Sequence, residues 1–176
     1  MDADARQSHL DDPADGTGES TSPAAAELKA IVDTNSYMTV ATAAADGTPW
    51  ASPVWFAHEG YAEFVWVSRP TARHSQNVAV RPEVGIVIFD STVPPFRARA
   101  VYMEATAGVV PPGELDHAVA TFAQECVAQG IAAWTVGDVT GDARHRLYRA
   151  RATSHFVLDA HDERIPVRLE DSDGPS

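Results

Sequence analysis

Polar residues between Ser68 and Asn77 have the types and spacing of an anion-binding site. Ser68 ends an alternating apolar run that is typical of a β-strand, and Arg73 and His74 follow after a short turn. If Thr71 caps a helix here, then the free N–H groups of the first helical turn, the guanidinium and the serine hydroxyl can converge on a phosphate group. The alternative is an ordinary capped turn with a solvated arginine.

The elements that would position this segment are mostly antiparallel strands. From Tyr37 to Ser68 the apolar period is two, with breaks at Asp46-Gly47 and Glu59-Gly60, so we expect three strands joined by two hairpins. The other expected elements are a helix after Ser22, a helix over 71–82, strands over 83–91 and 97–110, a helix over 111–130, and one bent or two short strands over 145–159. About six antiparallel strands with few helices predict a closed or partly closed barrel of α+β class.

The net charge of −12 is concentrated at the two ends of the chain. Residues 1–23 contain six acidic residues against one arginine, and residues 159–176 contain six against two, whereas the body is nearly balanced. Such acidic, apolar-poor segments are typical of solvated tails. We therefore expect a disordered acidic tail over 1–23, one folded domain over 24–160 and an acidic C-terminal tail over 161–176.

Composition also excludes several classes of function. The body has no stripe of basic and aromatic residues, so we expect no nucleic-acid partner. No run of about 18 apolar residues and no secretory signal is present, so we expect no membrane association and a cytoplasmic location. Cys126, the single cysteine, lies in a helical apolar period and is expected to be buried, and the scattered histidines predict no metal site.

No catalytic motif stands out, and catalytic residues stay unassigned. The chain has no glycine-rich phosphate loop, dinucleotide fingerprint, nucleophile elbow or His-Glu-x-x-His zinc helix. The possible proton donors are His58, His74, His145 and Tyr102. The aromatic residues that could stack on a planar ligand are Trp50, Trp55, Trp66 and Trp134, although alternating aromatic residues in strands are more often part of a core.

Short motifs occur in a fixed order between Met38 and Val110. They are Asp46-Gly47-x-Pro49 followed by Ser52-Pro53-Val54-Trp55-Phe56, then Ser68…Ala72-Arg73-His74-x-x-Asn77-Val78, Arg81-Pro82-x-Val84 and Glu104-Ala105-x-Ala107. Their order and spacing resemble the pyridoxamine 5'-phosphate oxidase-like, FMN-binding split β-barrel family. A fainter likeness extends to residues 146–159.

The resemblance implies a six-stranded antiparallel split β-barrel of α+β class with short flanking helices. It also implies a homodimer with FMN at the interface, acting as an FMN-dependent oxidoreductase of flavin reductase or oxidase type on an unknown small molecule, with the flavin carrying the hydride or electron chemistry. The implied flavin-binding residues are Pro53, Val54 and Trp55 along the isoalloxazine ring, mainly through backbone contacts, Ser68, Arg73 and His74 at the phosphate, and Asn77 in support of the turn.

Two departures from the family pattern leave other functions open. The family often has lysine where this chain has His74, and a neutral imidazole offers one donor where an ammonium offers a full charge, so we expect weaker, pH-dependent phosphate binding or another cofactor. The strand comparable with the substrate-binding strand of the vitamin-pathway oxidase lacks a tryptophan, which argues against oxidation of pyridoxamine phosphate. The alternatives are a deazaflavin-dependent reductase of the same fold and a non-catalytic protein that stores a cofactor or binds haem.

Overall fold

A computed structural model describes residues 22–94, 98–159 and 161–169. The strands are β1 (Tyr37–Ala43), β2 (Pro49–Trp55), β3 (Ala57–Glu59), β4 (Glu63–Ser68), β5 (Glu83–Phe89), β6 (Ala100–Val109), β7 (Arg146–Leu158) and β8 (Arg164–Val167). The helices are α1 (Pro23–Thr34), α2 (Arg73–Val80) and α3 (Leu115–Ala128), with 3₁₀ turns at Pro112–Glu114 and Val136–Val139. In the described ranges, no helix is long and apolar enough to cross a membrane.

The strands form one curled antiparallel sheet. Its order is β2-β1-β5-β6-β7-β4-β3, and β8 pairs with the far end of β7. The strands at the two ends of this order, β2 and β3, follow each other in sequence and are separated only by Phe56. The sheet therefore curls until β2 approaches β4. This half-barrel, with its few short helices, confirms the expected α+β split-barrel fold.

The sheet has eight strands where the sequence indicated six. Phe56 divides one expected strand in two, because at this point the chain leaves its pairing with β1 and begins to pair with β4. The other additional strand is β8, which lies inside the range expected to be an acidic tail and buries Val167. Residues 1–21 and 170–176, which make up most of the expected tails, lie outside the described residues.

Most turns and helix ends follow the sequence signals. The β1–β2 turn has Gly47 at φ 88°, a left-handed conformation that glycine adopts without strain, and the side chain of Asp46 accepts a bond from the Thr48 N–H (2.9 Å). The expected capping by Thr71 is wrong. Ala72 occupies the N-cap of α2 and no side chain bonds to the first turn.

Two hydrophobic clusters stabilise the sheet from opposite sides. The inner cluster fills the barrel with Phe64, Trp66 and Ile86, and α1 covers it with Leu28. The outer cluster lies between α3 and the outward side chains of β3, β4 and β7, and it includes Cys126 with no exposed surface. Burial raises the pKa of this thiol, so Cys126 serves as a small apolar side chain, as its helical spacing predicted.

Candidate functional site

The short helix α2 joins the end of β4 to the start of β5 and brings the predicted phosphate-binding residues together. Ser68 is the last residue of β4, and a turn closed by the bond from the Ala72 N–H to the Arg69 carbonyl (2.9 Å) leads directly into Arg73 and His74. Because no side chain caps the helix, its first backbone N–H groups have no partner from a capping residue. The helix end therefore presents donors and a partial positive charge.

A chain of hydrogen bonds, here called the hydroxyl network, runs through Ser75, Ser68, His74, Ser52 and Trp50. Ser75 Oγ donates to Ser68 Oγ (3.2 Å), and Ser68 Oγ lies 2.7 Å from His74 Nε2. On the other side of the imidazole, His74 Nδ1 lies 3.1 Å from Ser52 Oγ, which also accepts a bond from the Trp50 indole N–H (2.9 Å). The imidazole therefore connects the end of β4 to β2.

Buried polar side chains are concentrated around this network. Among the described residues, six polar or charged side chains are buried, and five of them lie here: Thr42, Ser52, Ser68, Ser75 and Asn77. Buried hydroxyl and amide groups are costly unless they are hydrogen-bonded. Their accumulation at one end of α2 indicates a site rather than a chance surface cluster.

Asn77 anchors α2 to the sheet. Its side-chain amide donates to Thr42 Oγ1 (2.9 Å), and the Thr42 hydroxyl in turn donates to the Trp50 carbonyl (3.2 Å). The expected supporting role of Asn77 therefore has a geometric basis, although its bond reaches β1 and not the turn before the helix. The result is a fixed distance between the first turn of α2 and strands β1 and β2.

Arg73 is held by an aromatic face and not by a carboxylate. Its guanidinium carbon lies 4.5 Å from the centroid of the exposed Trp50 ring. No ion pair of Arg73 is found in the described part of the chain. The pKa of Asp46, in the nearby β1–β2 turn, is lowered mainly by its bonds from Thr48 and only slightly by Arg73. The guanidinium is thus positioned while its charge is not neutralised.

The surroundings of His74 favour its neutral form. Burial lowers its pKa below the ordinary value for histidine, since the charged form loses hydration without gaining a nearby carboxylate. A neutral imidazole has one donor and one acceptor nitrogen. The site therefore differs from one that holds a lysine at this position, because its fixed positive charge comes from Arg73 alone.

The three other predicted residues lie on β2, which is an edge strand of the sheet. Pro53 is exposed, Val54 points into the barrel core, and Trp55 packs edge-to-face on Phe122 (4.9 Å between ring centroids). The Trp55 side chain therefore belongs to the outer hydrophobic cluster, and the structure does not bring it to α2. The backbone of β2, however, runs past His74 through Ser52 and has one edge free of strand pairing within the described sheet.

Sequence reasoning missed the partners Thr42, Ser52 and Ser75, and it named Trp50 only as an aromatic residue that could stack on a ligand. Thr42 and Ser52 sit at inward positions of their strands, in line with Val40 and Val54, where the alternating pattern leads one to expect apolar residues. Polar residues at core positions of a strand are a signal that could have found them.

The possible proton donors do not converge. His58 lies 3.3 Å from Asp33 and its ring is tilted against that of Tyr61, His145 packs against Trp134, and Tyr102 lies beneath Arg164. Of the tryptophans, Trp66 is part of the barrel core and Trp134 of the outer cluster, which leaves Trp50 beside the site. Within the described ranges, no three His, Cys, Asp or Glu side chains are grouped so as to hold a metal ion.

Comparison with known proteins identifies the family. The family described as pyridoxamine 5'-phosphate oxidase matches residues 24–154, which is most of the chain and includes the whole hydroxyl network. The chain belongs to the pyridoxamine 5'-phosphate oxidase-like family. A comparison with curated proteins finds no match.

Solved structures of the pyridoxamine 5'-phosphate oxidase-like fold include proteins with different ligands. A haem-binding protein from Mycobacterium smegmatis matches 80% of this chain at 21% identity and TM-score 0.64, and the chain spans 56% of that protein. The haem storage protein HutZ from Vibrio cholerae matches 75% of this chain and 92% of its own at 22% identity and TM-score 0.59. An F420 reductase matches 72% of this chain and 94% of its own at 19% identity and TM-score 0.53. At these identities the likeness shows the fold alone.

Proposed function

We propose that this protein is an FMN-dependent oxidoreductase that acts on a small molecule, with FMN bound between two copies of the chain. The observation that carries the proposal is the meeting of the uncapped first turn of α2, the unneutralised Arg73 and the hydroxyl network. These are the donors that a phosphate ester requires: backbone N–H groups, a guanidinium and hydroxyls. The donor set therefore fits the phosphate end of FMN.

The edge strand β2 fits the other end of the cofactor. An isoalloxazine ring carries acceptor and donor atoms along one side, and an unpaired strand edge offers backbone N–H and C=O groups at regular spacing. Pro53 lacks an N–H, and proline in a sheet is found mainly on edge strands. Pro53, Val54 and Trp55 would thus bind the ring through backbone atoms, with the Trp55 indole committed to Phe122.

A second copy of the chain would cover the outer face of β1, β2 and β5. At the centre of this face, uncharged residues lie in register across the three strands: Thr39 beside Pro53 and Val87, and Ala41 beside Ala51 and Gly85. The charged Glu83 lies at the margin of the face, at the start of β5. An uncharged central patch next to the free edge of β2 supports an interface that also encloses the ring. A solution mass near that of one chain would contradict this part of the proposal.

The chemistry of such a site divides between cofactor and protein. FMN supplies hydride or electron transfer. The residues at α2 would hold the phosphate, and the backbone of β2 would orient the ring. Oxidation of pyridoxamine phosphate itself is not proposed, since the strand expected to bind that substrate lacks the tryptophan of the vitamin-pathway enzyme.

Two other cofactors are supported by specific observations. A deazaflavin also carries a phosphate, and one protein of the same fold is an F420 reductase, F420 being a deazaflavin. Haem is supported by the two haem-binding and haem-storing proteins of this fold. A histidine that ligates haem needs a free ring nitrogen, and in the described structure His145 is half-buried beside Trp134 with no hydrogen bond to its ring.

The proposal is tested first by the absorbance spectrum of the purified protein, with mass spectrometry of any released cofactor. Bound FMN gives the two-banded flavin spectrum, a deazaflavin absorbs at shorter wavelength, and haem gives a Soret band. Protein purified without cofactor is titrated with FMN, riboflavin and haemin in parallel. Tight binding of FMN with much weaker binding of riboflavin is expected, and a preference for haemin would overturn the proposal. Reduction of the bound flavin by NADH or NADPH then separates an oxidoreductase from a storage protein.

A further inference from the structure

His74 sits between two hydroxyls that already accept a hydrogen bond from another group. Ser68 Oγ accepts from Ser75, and Ser52 Oγ accepts from the Trp50 indole, which can only donate. Each serine also contacts one nitrogen of the same imidazole, at 2.7 Å for Ser68 and 3.1 Å for Ser52. The protonation of one ring therefore decides what both hydroxyls can do.

With a neutral imidazole only one of the two serines can donate to a ligand. The ring has one acceptor nitrogen, and the serine beside it gives its proton to that nitrogen. The other serine accepts from the ring N–H and keeps its own proton for an outside partner. The tautomer of His74 selects which serine this is, Ser52 or Ser68.

With a protonated imidazole both serines become donors. Both ring nitrogens then donate, so each serine accepts two bonds and turns its own proton outward. Ser68 and Ser52 lie on opposite sides of the ring, which places one donor at the end of β4 beside α2 and the other on β2. A single proton on His74 thus makes two hydroxyls available as hydrogen-bond donors, one at the end of β4 and one on β2.

The charges around His74 favour this proton once an anion arrives. The elements packed against the ring, β2 and β4, present only the neutral groups of Trp50, Ser52 and Ser68. Arg73 precedes His74 on the same helix, and the carboxylate that interacts with Arg73 is Asp46 in the β1–β2 turn. A phosphate ester carries nearly two negative charges at neutral pH, and Arg73 supplies only one positive charge. The electrostatic field of the ester stabilises an imidazolium that burial disfavours in the free protein.

We propose that His74 takes up a proton when the phosphate ester binds, and that this proton frees Ser68 and Ser52 together as donors, with Ser52 as a second point of contact on the ligand. This inference rests on the proposed function, since it assumes a phosphate-bearing cofactor at α2. In this proposal His74 is a positioning residue, because it orients the two serine hydroxyls and becomes charged only when the ligand is bound. A lysine at this position would instead leave the site charged at all times.

Calorimetric titration of FMN at about pH 7.5, where the ester is already a dianion, tests the coupling in two non-phosphate buffers of different ionisation enthalpy. Uptake of close to one proton per FMN is expected, and none with riboflavin, the matched control without the phosphate. FMN affinity should fall by up to about tenfold per pH unit between the pKa of His74 in the free protein and its higher pKa in the complex, and should level off above the latter. Riboflavin affinity should stay flat. His74→Lys should bind FMN without proton uptake over the same range, with its thermal melt confirming that it folds.

Nitrogen NMR of histidine-labelled protein gives the second readout, because imidazolium and the two neutral tautomers have distinct ring shifts. In the FMN complex, both nitrogens of His74 should be protonated. A neutral His74 in that complex, with a change of tautomer only and no proton uptake, overturns the inference while leaving FMN binding intact. Failure of FMN to bind at all overturns the proposed function and this inference with it.

Discussion

Two regions of this barrel that contain arginines differ: in one the arginines form ion pairs with carboxylates, and in the other the arginine stacks on an aromatic ring. On β4, β7 and the 3₁₀ turn before α3, an ion-pair cluster joins Arg149 and Arg151 to Glu63 and Glu114. Arg149 lies 2.7 Å from Glu114 and 3.3 Å from Glu63, and Arg151 lies 2.7 Å from each of them. At α2, Arg73 instead rests on the face of Trp50 beside neutral hydroxyls.

The difference separates a structural ion-pair cluster from the proposed binding site. In the ion-pair cluster the charges neutralise one another: the pKa of Glu114 is lowered mainly by its bond from Arg149, and that of Arg151 is raised mainly by its bond to Glu63. Such a cluster ties three elements together and has no charge left for a ligand. At α2 the cation is exposed, is oriented by stacking on Trp50 and lies beside hydrogen-bond donors, so its charge remains available to an anion.

The largest expected effect is on stability and comes from the ion-pair cluster. Arg149 is only 9% exposed, so Arg149→Ala removes the buried partner of two carboxylates. We expect a loss of about 3 kcal/mol in the free energy of unfolding, at the low end for a broken buried pair because the carboxylates are partly exposed. Urea unfolding measures it, and FMN affinity should be unchanged.

The control for Arg149→Ala is Arg151→Ala, which deletes the same charge from the same strand at a half-exposed position. Its cost should stay below about 1 kcal/mol. Equal losses of unfolding free energy in the two variants, or a large loss of FMN affinity in either, would contradict the distinction between the ion-pair cluster and the α2 region.

The second effect is on ligand binding and comes from Arg73. Arg73→Ala should weaken FMN binding by about 1.5 to 3 kcal/mol, roughly 10- to 150-fold, the usual contribution of a charge-assisted bond. Riboflavin affinity and the free energy of unfolding should change little, since Arg73 is exposed and makes no ion pair among the described residues. Fluorescence titration of the flavin measures both ligands.

Arg81→Ala is the matched control for Arg73→Ala. Arg81 caps the opposite end of α2 and bonds to the Ala45 carbonyl (2.9 Å), away from the hydroxyl network. A similar loss of FMN affinity in both variants would mean that the overall charge of the helix, and not the position of Arg73, governs phosphate binding.

Most of the fold could be predicted because its signals are local. The period-two runs, the Asp46-Gly47 turn and the stop at Pro82 each act over a few residues, and each corresponds to an element of the structure. The exceptions depend on pairing across the sheet. The break at Phe56 and the short strand β8 follow from which distant strand is available, and a local pattern does not record that.

The candidate site was predictable only in its contiguous part. Ser68, Arg73, His74 and Asn77 lie in one segment, so turn and helix geometry place them together. Ser52 meets His74 across 22 residues, and Thr42 meets Asn77 across 35. A slip of one residue in the pairing of β1 with β2 would turn Ser52 to the outer face, so its role depends on a register that the sequence indicates only through the burial pattern.

The smallest expected effect tests whether stacking, in place of a carboxylate, positions Arg73. Trp50→Leu removes both the ring face beneath Arg73 and the N–H that bonds to Ser52, whereas Trp50→Phe removes the N–H and keeps a ring. We expect Trp50→Leu to weaken FMN binding by about 0.5 to 1 kcal/mol more than Trp50→Phe, the range for an exposed cation–π contact. In an Arg73→Ala background the difference between the two variants should disappear, because the ring then has no cation to hold. A difference that persists without Arg73 would show that Trp50 contacts the ligand itself, and the orientation of the guanidinium would then need another cause.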